Sequence, residues 1–172
     1  MGHAFFIEDA IETKNVLLNN LVINANPSFS LLNTDTTPAS FWITNPDNIF
    51  IGNHAAGSHS YGFWFDLQSH PTGPSRTNKV CPKTTRLGKF SGNVAHSNGK
   101  YGLRIFDTHI PRDRGCNGNA LTANYENYVG YRNSRSGIIG ESLGAVVFNN
   151  IKVAENGQSG VEVTFPGYCS RH

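Results

Sequence analysis

Four acidic side chains offer this sequence its most direct route to chemistry: Glu8, Asp9, Asp66 and Asp107. Breaking a glycan needs either paired carboxylates flanking the glycosidic oxygen or a base and a cation beside a uronate. Asp66 and Asp107 each follow an apolar–x–apolar triplet, Phe63-Trp64-Phe65 and Leu103-Arg104-Ile105. A fold that stacks these triplets brings the two carboxylates close, and such neighbours raise one pKa. Their plainer role is to cap the loops that begin there. His70 opens a His-Pro-x-Gly-Pro-Ser segment and either titrates near neutral pH or holds the turn. Asp66, His70 and Asp107 are therefore the catalytic candidates. His96 stands among Asn-rich turns and reads as a buried, hydrogen-bonded residue. No metal or cofactor is expected: HExxH and CxxC patterns are missing, and strand and turn geometry need not converge His54 and His59.

Cations gather where the triplets end. Segments 66–86 and 107–120 hold Arg76, Lys79, Lys83, Arg86, Arg112 and Arg114, with His70 and His109, against Asp66, Asp107 and Asp113. Charged residues are only 15% of the chain and the net charge is +2, so this is a local basic excess, too small overall to imply nucleic acid. Each segment carries one cysteine, Cys81 or Cys116. Two loops leaving one corner side by side predict a disulfide between them, hence an oxidising compartment. That leaves Cys169 without a partner in the chain. With an outward Trp64 and Arg104, residues Arg76, Lys79, Arg112 and Arg114 form the candidate glycan-binding set.

The element that must position these groups is a repeat. An Asn or Ser, three residues, a Gly and an apolar–x–apolar triplet recur at Ser58/Gly62, Asn98/Gly102, Asn133/Gly137 and Asn156/Gly160. A second Asn precedes each copy: Asn53, Asn93, Asn127 and Asn150. The last two glycines are 23 residues apart, and the earlier gaps are lengthened by insertions. Pro, 18 Gly and 20 Asn interrupt nearly every window that could hold a helix. Self-similarity at this period predicts a stack, a right-handed parallel β-helix with coils about 4.8 Å apart, in preference to a β-sandwich with Asn at its hairpins. Each copy reads as two short strands and two turns. Alternation then points Phe63/Phe65, Leu103/Ile105 and Val161/Val163 inward, and Trp64, Arg104, Ile139 and Glu162 outward in one row. Trp64 and Arg104 fall within reach of a cation–π contact. No apolar run is long enough to span a membrane.

Longer words carry a resemblance. Gly2-His3-Ala4-Phe5-Phe6-Ile7-Glu8-Asp9, Phe41-Trp42-Ile43-Thr44-Asn45-Pro46-Asp47-Asn48, the Ala55 to Phe65 stretch, His70-Pro71-x-Gly73-Pro74-Ser75 and the Leu87 to Ser97 stretch follow one another in order. They resemble the β-helix region of the G8/β-helix family that includes fibrocystin-L, the cell-migration-inducing hyaluronan-binding protein and transmembrane protein 2, nearest its fibrocystin-L branch. The resemblance is dense over residues 2–106 and rests on the repeats alone beyond. It implies an extracellular or membrane-anchored parent, with hyaluronan binding or depolymerisation in two relatives and a receptor-like role in the third. On this reading residues 1–172 are one β-helix region, incomplete at both ends, with open strand edges. The expected function is recognition of an acidic, hyaluronan-like polysaccharide or an extracellular protein partner, without nucleic acid and without membrane insertion by this segment. A glycan depolymerase and a purely structural spacer are the alternatives, and whether the chain is an enzyme stays open.

Overall fold

Every described strand pairs in parallel with one in an adjacent turn of the chain, so the chain winds instead of folding back. The computed structural model describes residues 2–29 and 36–164. One six-stranded sheet contains β1 (Phe5–Ile7), β4 (Ala39–Ile43), β7 (Tyr61–Asp66), β10 (Tyr101–Phe106), β13 (Ile138–Gly140) and β16 (Val161–Val163). A five-stranded sheet contains β2 (Val16–Leu18), β5 (Ile49–Ile51), β8 (Lys89–Ser91), β11 (Ala123–Glu126) and β14 (Val146–Asn149). The third holds β3 (Leu21–Ile23), β6 (His54–Ala56), β9 (Val94–His96), β12 (Val129–Tyr131) and β15 (Lys152–Ala154). Each coil takes one strand from each sheet in turn, which is a parallel β-helix. No helix among the described residues is long and apolar enough to cross a membrane.

Three strands per coil, where the repeat suggested two, follow from the corners. The apolar stretch 48–55 and its equivalents are each broken by a residue in the left-handed region: Gly52 (φ 65°), Gly92 (φ 66°), Asn127 (φ 53°) and Asn150 (φ 52°). Gly and Asn tolerate this backbone. Asn127 and Asn150 therefore align with Gly52 and Gly92, one place before Asn53 and Asn93, and are exposed where those two are fully buried. The buried amides form ladders along the stack. Asn20 Nδ2 donates to Asn53 Oδ1 (2.8 Å), Asn53 to Asn93 (3.2 Å), Asn98 to Asn133 (2.9 Å) and Asn133 to Asn156 (3.0 Å). Each ladder amide supplies a donor and acceptors to a corner whose backbone groups are closed off from water.

The register stacks like on like. Phe5, Phe41, Phe63, Leu103, Ile138 and Val161 form one inward column, and Ile7, Ile43, Phe65, Ile105, Gly140 and Val163 the next. Phe41 stacks on Phe5 at 4.9 Å and on Phe63 at 4.7 Å between centroids. Phe50, Phe90 and Tyr125 fill from the second sheet, while the third contributes small Ala55, Ala95 and Gly130. Burial falls off in the outermost described turns, where Phe5 and Val163 are half-buried and Val161 is 43% exposed.

The repeat glycines serve close approach, but the four are not equivalent. A Cβ on Gly62 would lie 2.5 Å from the Gly102 carbonyl oxygen, one on Gly102 2.7 Å from that of Gly137, and one on Gly137 2.8 Å from that of Gly160. Gly160 departs from the expected pattern. It is only half-buried, and among the described residues a Cβ there would meet no backbone atom, just the Val153 side chain, with Cγ2 at 2.8 Å. The reason is its place in the last described turn. The other three each face the carbonyl of the following coil, whereas Gly160 supplies that carbonyl to Gly137 and has no described coil stacked beyond it.

Candidate functional site

Asp66 and Phe106 are in register at the ends of β7 and β10, so the chain leaves the helix at the same corner in two successive coils. The excursions cover residues 67–88 and 107–122, the first beginning one residue after Asp66 because β7 includes that residue. They are sewn together. Cys81 and Cys116 are disulfide-bonded with their Cα atoms 5.1 Å apart, Ile110 N–H donates to the Lys83 carbonyl (2.8 Å), and Arg112 N–H to that of Thr84 (2.9 Å). Cys169 lies outside the described residues.

Half of the six loop lysines and arginines are engaged internally. Lys83 pairs with Asp107 at 2.7 Å, and Arg86 with Asp47 at 3.5 Å. Arg112 donates to the Gly118 carbonyl at 2.9 Å within its own loop, so it braces a turn. His109 is no surface cation: it is fully buried, bonded to the Thr85 carbonyl (3.0 Å) and Tyr125 hydroxyl (3.3 Å), and burial lowers its pKa to about 4. His70 is exposed and bonds the Val80 carbonyl through Nδ1 (3.0 Å), a turn contact. Arg76, Lys79 and Arg114 remain exposed on the clamped loops. Among the described residues Arg76 and Lys79 have no ion pair, and Arg114 only reaches Asp113 at 3.9 Å. Lys79 and Arg114 border a shallow groove over the disulfide; Arg76 borders a second with His70 and Asn78.

The outward row contains Phe6, Trp42, Trp64, Arg104, Ile139 and Glu162, one per coil. Trp64 points outward yet is only 6% exposed, packed with Trp42, Tyr61 and Ala39 in a second apolar cluster. Arg104 covers it. The guanidinium lies 5.3 Å from the Trp64 ring, 5.2 Å from Tyr61 and 4.3 Å from Phe106, donates to the Tyr61 hydroxyl (2.9 Å) and faces Glu141 at 3.6 Å. This pair forms a lid over aromatic rings, with Trp64 6% exposed and the Arg104 side chain 17% exposed. The side-chain contacts that bury Trp64 and partly cover Arg104 come largely from neighbouring coils, which one triplet cannot reveal.

A further acidic group emerges at the other flank. Asp66 is 7% exposed, accepts hydrogen bonds from Trp42 Nε1 and Gln68 Nε2 (3.2 Å each), and burial raises its pKa above the usual carboxylate value. It does not pair with Asp107, whose partner is Lys83. Instead it shares a cleft of about 350 Å³ with Glu8, Asp9 and Trp42, walled by Pro71–Pro74. The Ser75 hydroxyl donates to Asp9 Oδ2 at 2.5 Å and so ties this loop to the first coil. Sequence reasoning misses Trp42 as a site residue, although its place in a Phe-Trp-Ile triplet matching Phe63-Trp64-Phe65 is an available signal. No group of three or more His, Cys, Asp or Glu among the described residues is arranged to hold a metal ion. His54 and His96 do approach, with centroids 4.9 Å apart, and His96 stacks on Tyr131 at 4.7 Å; burial first, then the neighbouring charges, lower the His96 pKa.

Comparison with known proteins gives a consistent picture. The CEMIP beta-helix family model matches residues 1–103. The chain is 41% identical to fibrocystin-L of Mus musculus over 162 residues, 94% of this chain and 4% of that protein. It is 39% identical to the cell surface hyaluronidase CEMIP2 of Homo sapiens and 35% identical to the human cell migration-inducing and hyaluronan-binding protein, each over 61% of this chain and 10% of the relative. The chain thus spans between 4% and 10% of the length of these relatives.

Proposed function

This chain belongs to the CEMIP β-helix family, and on that premise we propose that it is an extracellular recognition module for an acidic glycan of the hyaluronan type. The observation that carries the reading is the disulfide-clamped loop pair, which keeps Arg76, Lys79 and Arg114 exposed while Lys83, Arg86, Arg104 and Arg112 are engaged elsewhere. Exposed cations on a braced surface meet a polyanion with little ordering cost, and each contact is screened by salt. The names of two relatives point to the same ligand, one a hyaluronidase and one hyaluronan-binding. The disulfide agrees with an ectodomain location.

The test is hyaluronan binding by the chain at several salt concentrations. An Arg76→Ala/Lys79→Ala/Arg114→Ala variant is expected to lose about tenfold or more in affinity, summing three exposed charge contacts of up to ~1 kcal/mol each, and to show a flatter salt dependence. Equal binding by this variant and wild type would remove the loops from the interface and favour a spacer.

One observation favours a depolymerase as the second reading: Asp66 is a buried carboxyl with a raised pKa, lining a cleft with two other acids. That is a suitable environment for a general acid. Chain-length analysis of hyaluronan separates the two readings. Shortening that Asp66→Asn abolishes establishes the enzyme; intact polymer alongside salt-sensitive binding rules it out.

A further inference from the structure

The cleft beside Trp42 and the groove beside Arg76 are separated by a single stretch of loop, since Gln68, Pro71, Thr72 and Gly73 line both. Their chemistry is opposite. The cleft presents Glu8, Asp9 and Asp66 and has no Lys, Arg or His in its lining. The neighbouring groove presents Arg76, His70 and Asn78 and has no Asp or Glu. A uronate in the cleft would meet three acids and no cation, whereas in the groove it meets a guanidinium without an ion pair.

The cleft has what an uncharged sugar needs. Ionised carboxylates only accept hydrogen bonds, so they match hydroxyl and amide N–H donors. Asp9 uses Oδ2 for Ser75, and Asp66 accepts from Trp42 and Gln68; each carboxylate retains lone pairs beyond these contacts. Trp42, Ala10, Pro71 and Pro74 supply an apolar wall for the C–H face of a pyranose or an acetyl methyl group.

We propose that the two sites are adjacent subsites for one polysaccharide in which charged and uncharged units alternate, the cleft taking an amide- or hydroxyl-bearing neutral sugar and the Arg76 groove the uronate beside it. This rests on the glycan-recognition reading and deepens it, because alternation, and not charge density alone, becomes the recognised feature.

Three oligosaccharides of equal length test it on the 172-residue chain: a hyaluronan octamer, an all-uronate oligogalacturonate and a neutral chitooligosaccharide. The hyaluronan octamer is expected to bind tightest. The deciding variant is Glu8→Gln/Asp9→Asn. If the acids only repelled a polyanion, removing them would tighten hyaluronan and oligogalacturonate alike. The subsite model requires the opposite for hyaluronan, a loss of about fivefold as charge-assisted bonds become neutral ones, with oligogalacturonate unchanged or tighter. On wild-type protein, the indole N–H resonance of Trp42 is expected to shift with hyaluronan and stay fixed with oligogalacturonate, a readout independent of any variant's folding. Tighter hyaluronan binding by the variant, or an unmoved Trp42 signal at saturation, overturns the proposal while leaving acidic-glycan recognition standing. Failure of wild type to bind either anionic oligosaccharide overturns both.

Discussion

Replacing Asn98 with Ala isolates what one rung of a buried amide ladder is worth. Asn98 is fully buried; its Oδ1 accepts the Ser58 N–H at 3.0 Å, and its Nδ2 donates to Asn133 Oδ1 at 2.9 Å and toward the Ala55 carbonyl at 3.5 Å. Truncation orphans the Ser58 N–H, in a residue only 1% exposed. It also removes one of two donors from Asn133 Oδ1, which keeps the Asn98 backbone N–H at 3.2 Å. A buried donor without a partner costs about 1–3 kcal/mol, and a weakened acceptor adds a fraction of that. The expected loss is therefore about 2–4 kcal/mol, a large share of the roughly 5–15 kcal/mol typical of a folded domain. Urea unfolding followed by circular dichroism measures it, with Asn127→Ala as the control. Asn127 also belongs to an Asn–Asn pair (Asn150 Nδ2 to Asn127 Oδ1, 2.7 Å) but is exposed, so water replaces the lost bond and the cost should be near ~0.5 kcal/mol. Its left-handed φ of 53° adds a backbone penalty that a second control, Asn127→Gly, removes. A midpoint for Asn98→Ala indistinguishable from that of Asn127→Gly would refute the claim that buried ladders, and not apolar stacking alone, hold the corners.

Other perturbations give distinct signatures. Cys81→Ser/Cys116→Ser opens a link spanning 35 residues, which chain entropy values at about 4 kcal/mol; limited proteolysis should show new cuts within 67–88 and 107–122 while amide exchange in Phe41, Phe63 and Leu103 stays slow. His109, with a pKa lowered to about 4 from 6.5, binds its proton more readily when unfolded, so it stabilises the fold fully above pH 6.5 and loses up to about 3 kcal/mol as pH falls toward 4. Asp66, with a raised pKa, tilts stability the other way as its carboxyl ionises, so the His109 contribution is read as the difference between wild type and His109→Gln across pH 4–7. Gly102→Ala should destabilise by about 1–3 kcal/mol, because the new Cβ would run into the Tyr128 hydroxyl and stand 2.7 Å from the Gly137 carbonyl; thermal melts report it, and a neutral result would contradict the coil spacing.

What can be read from the residues is whatever repeats. The Gly–apolar–x–apolar unit sets the register that places Trp64 beside Arg104 and draws Cys81 toward Cys116. It also hides the first two coils. Ser40 occupies the place of Gly62 there, as the pairing of Phe41 with Phe63 shows, and its hydroxyl meets that of Ser58 at 2.6 Å. With that glycine changed, Trp42 does not register as a member of the Gly-led pattern, so Glu8 and Asp9 can be named as acids from the sequence but not placed with Trp42 and Asp66 around one cleft. The third strand of each coil escapes for a related reason: one left-handed residue is enough to end a strand, and Gly or Asn serves equally. Matching letters can also overstate likeness, as at Gly160, where the motif is kept but the close backbone approach is not. Which loop cations are spent depends on loop conformation. Lys83, Arg86 and Arg112 have the same side-chain chemistry as Lys79, Arg76 and Arg114 and differ only in having Asp107, Asp47 or a carbonyl within reach.

The clamp between the third and fourth coils also has a mechanical consequence. In a stack whose turns touch only their neighbours, unwinding starts at a free end and advances one turn at a time. The Cys81–Cys116 bond crosses between the two turns that project the basic loops, so a peeling front arriving from either side meets a covalent staple at that point. Under tension along the axis the outer turns should release in succession, while the portion carrying Arg76, Lys79 and Arg114 stays wound and keeps its grip on whatever it holds.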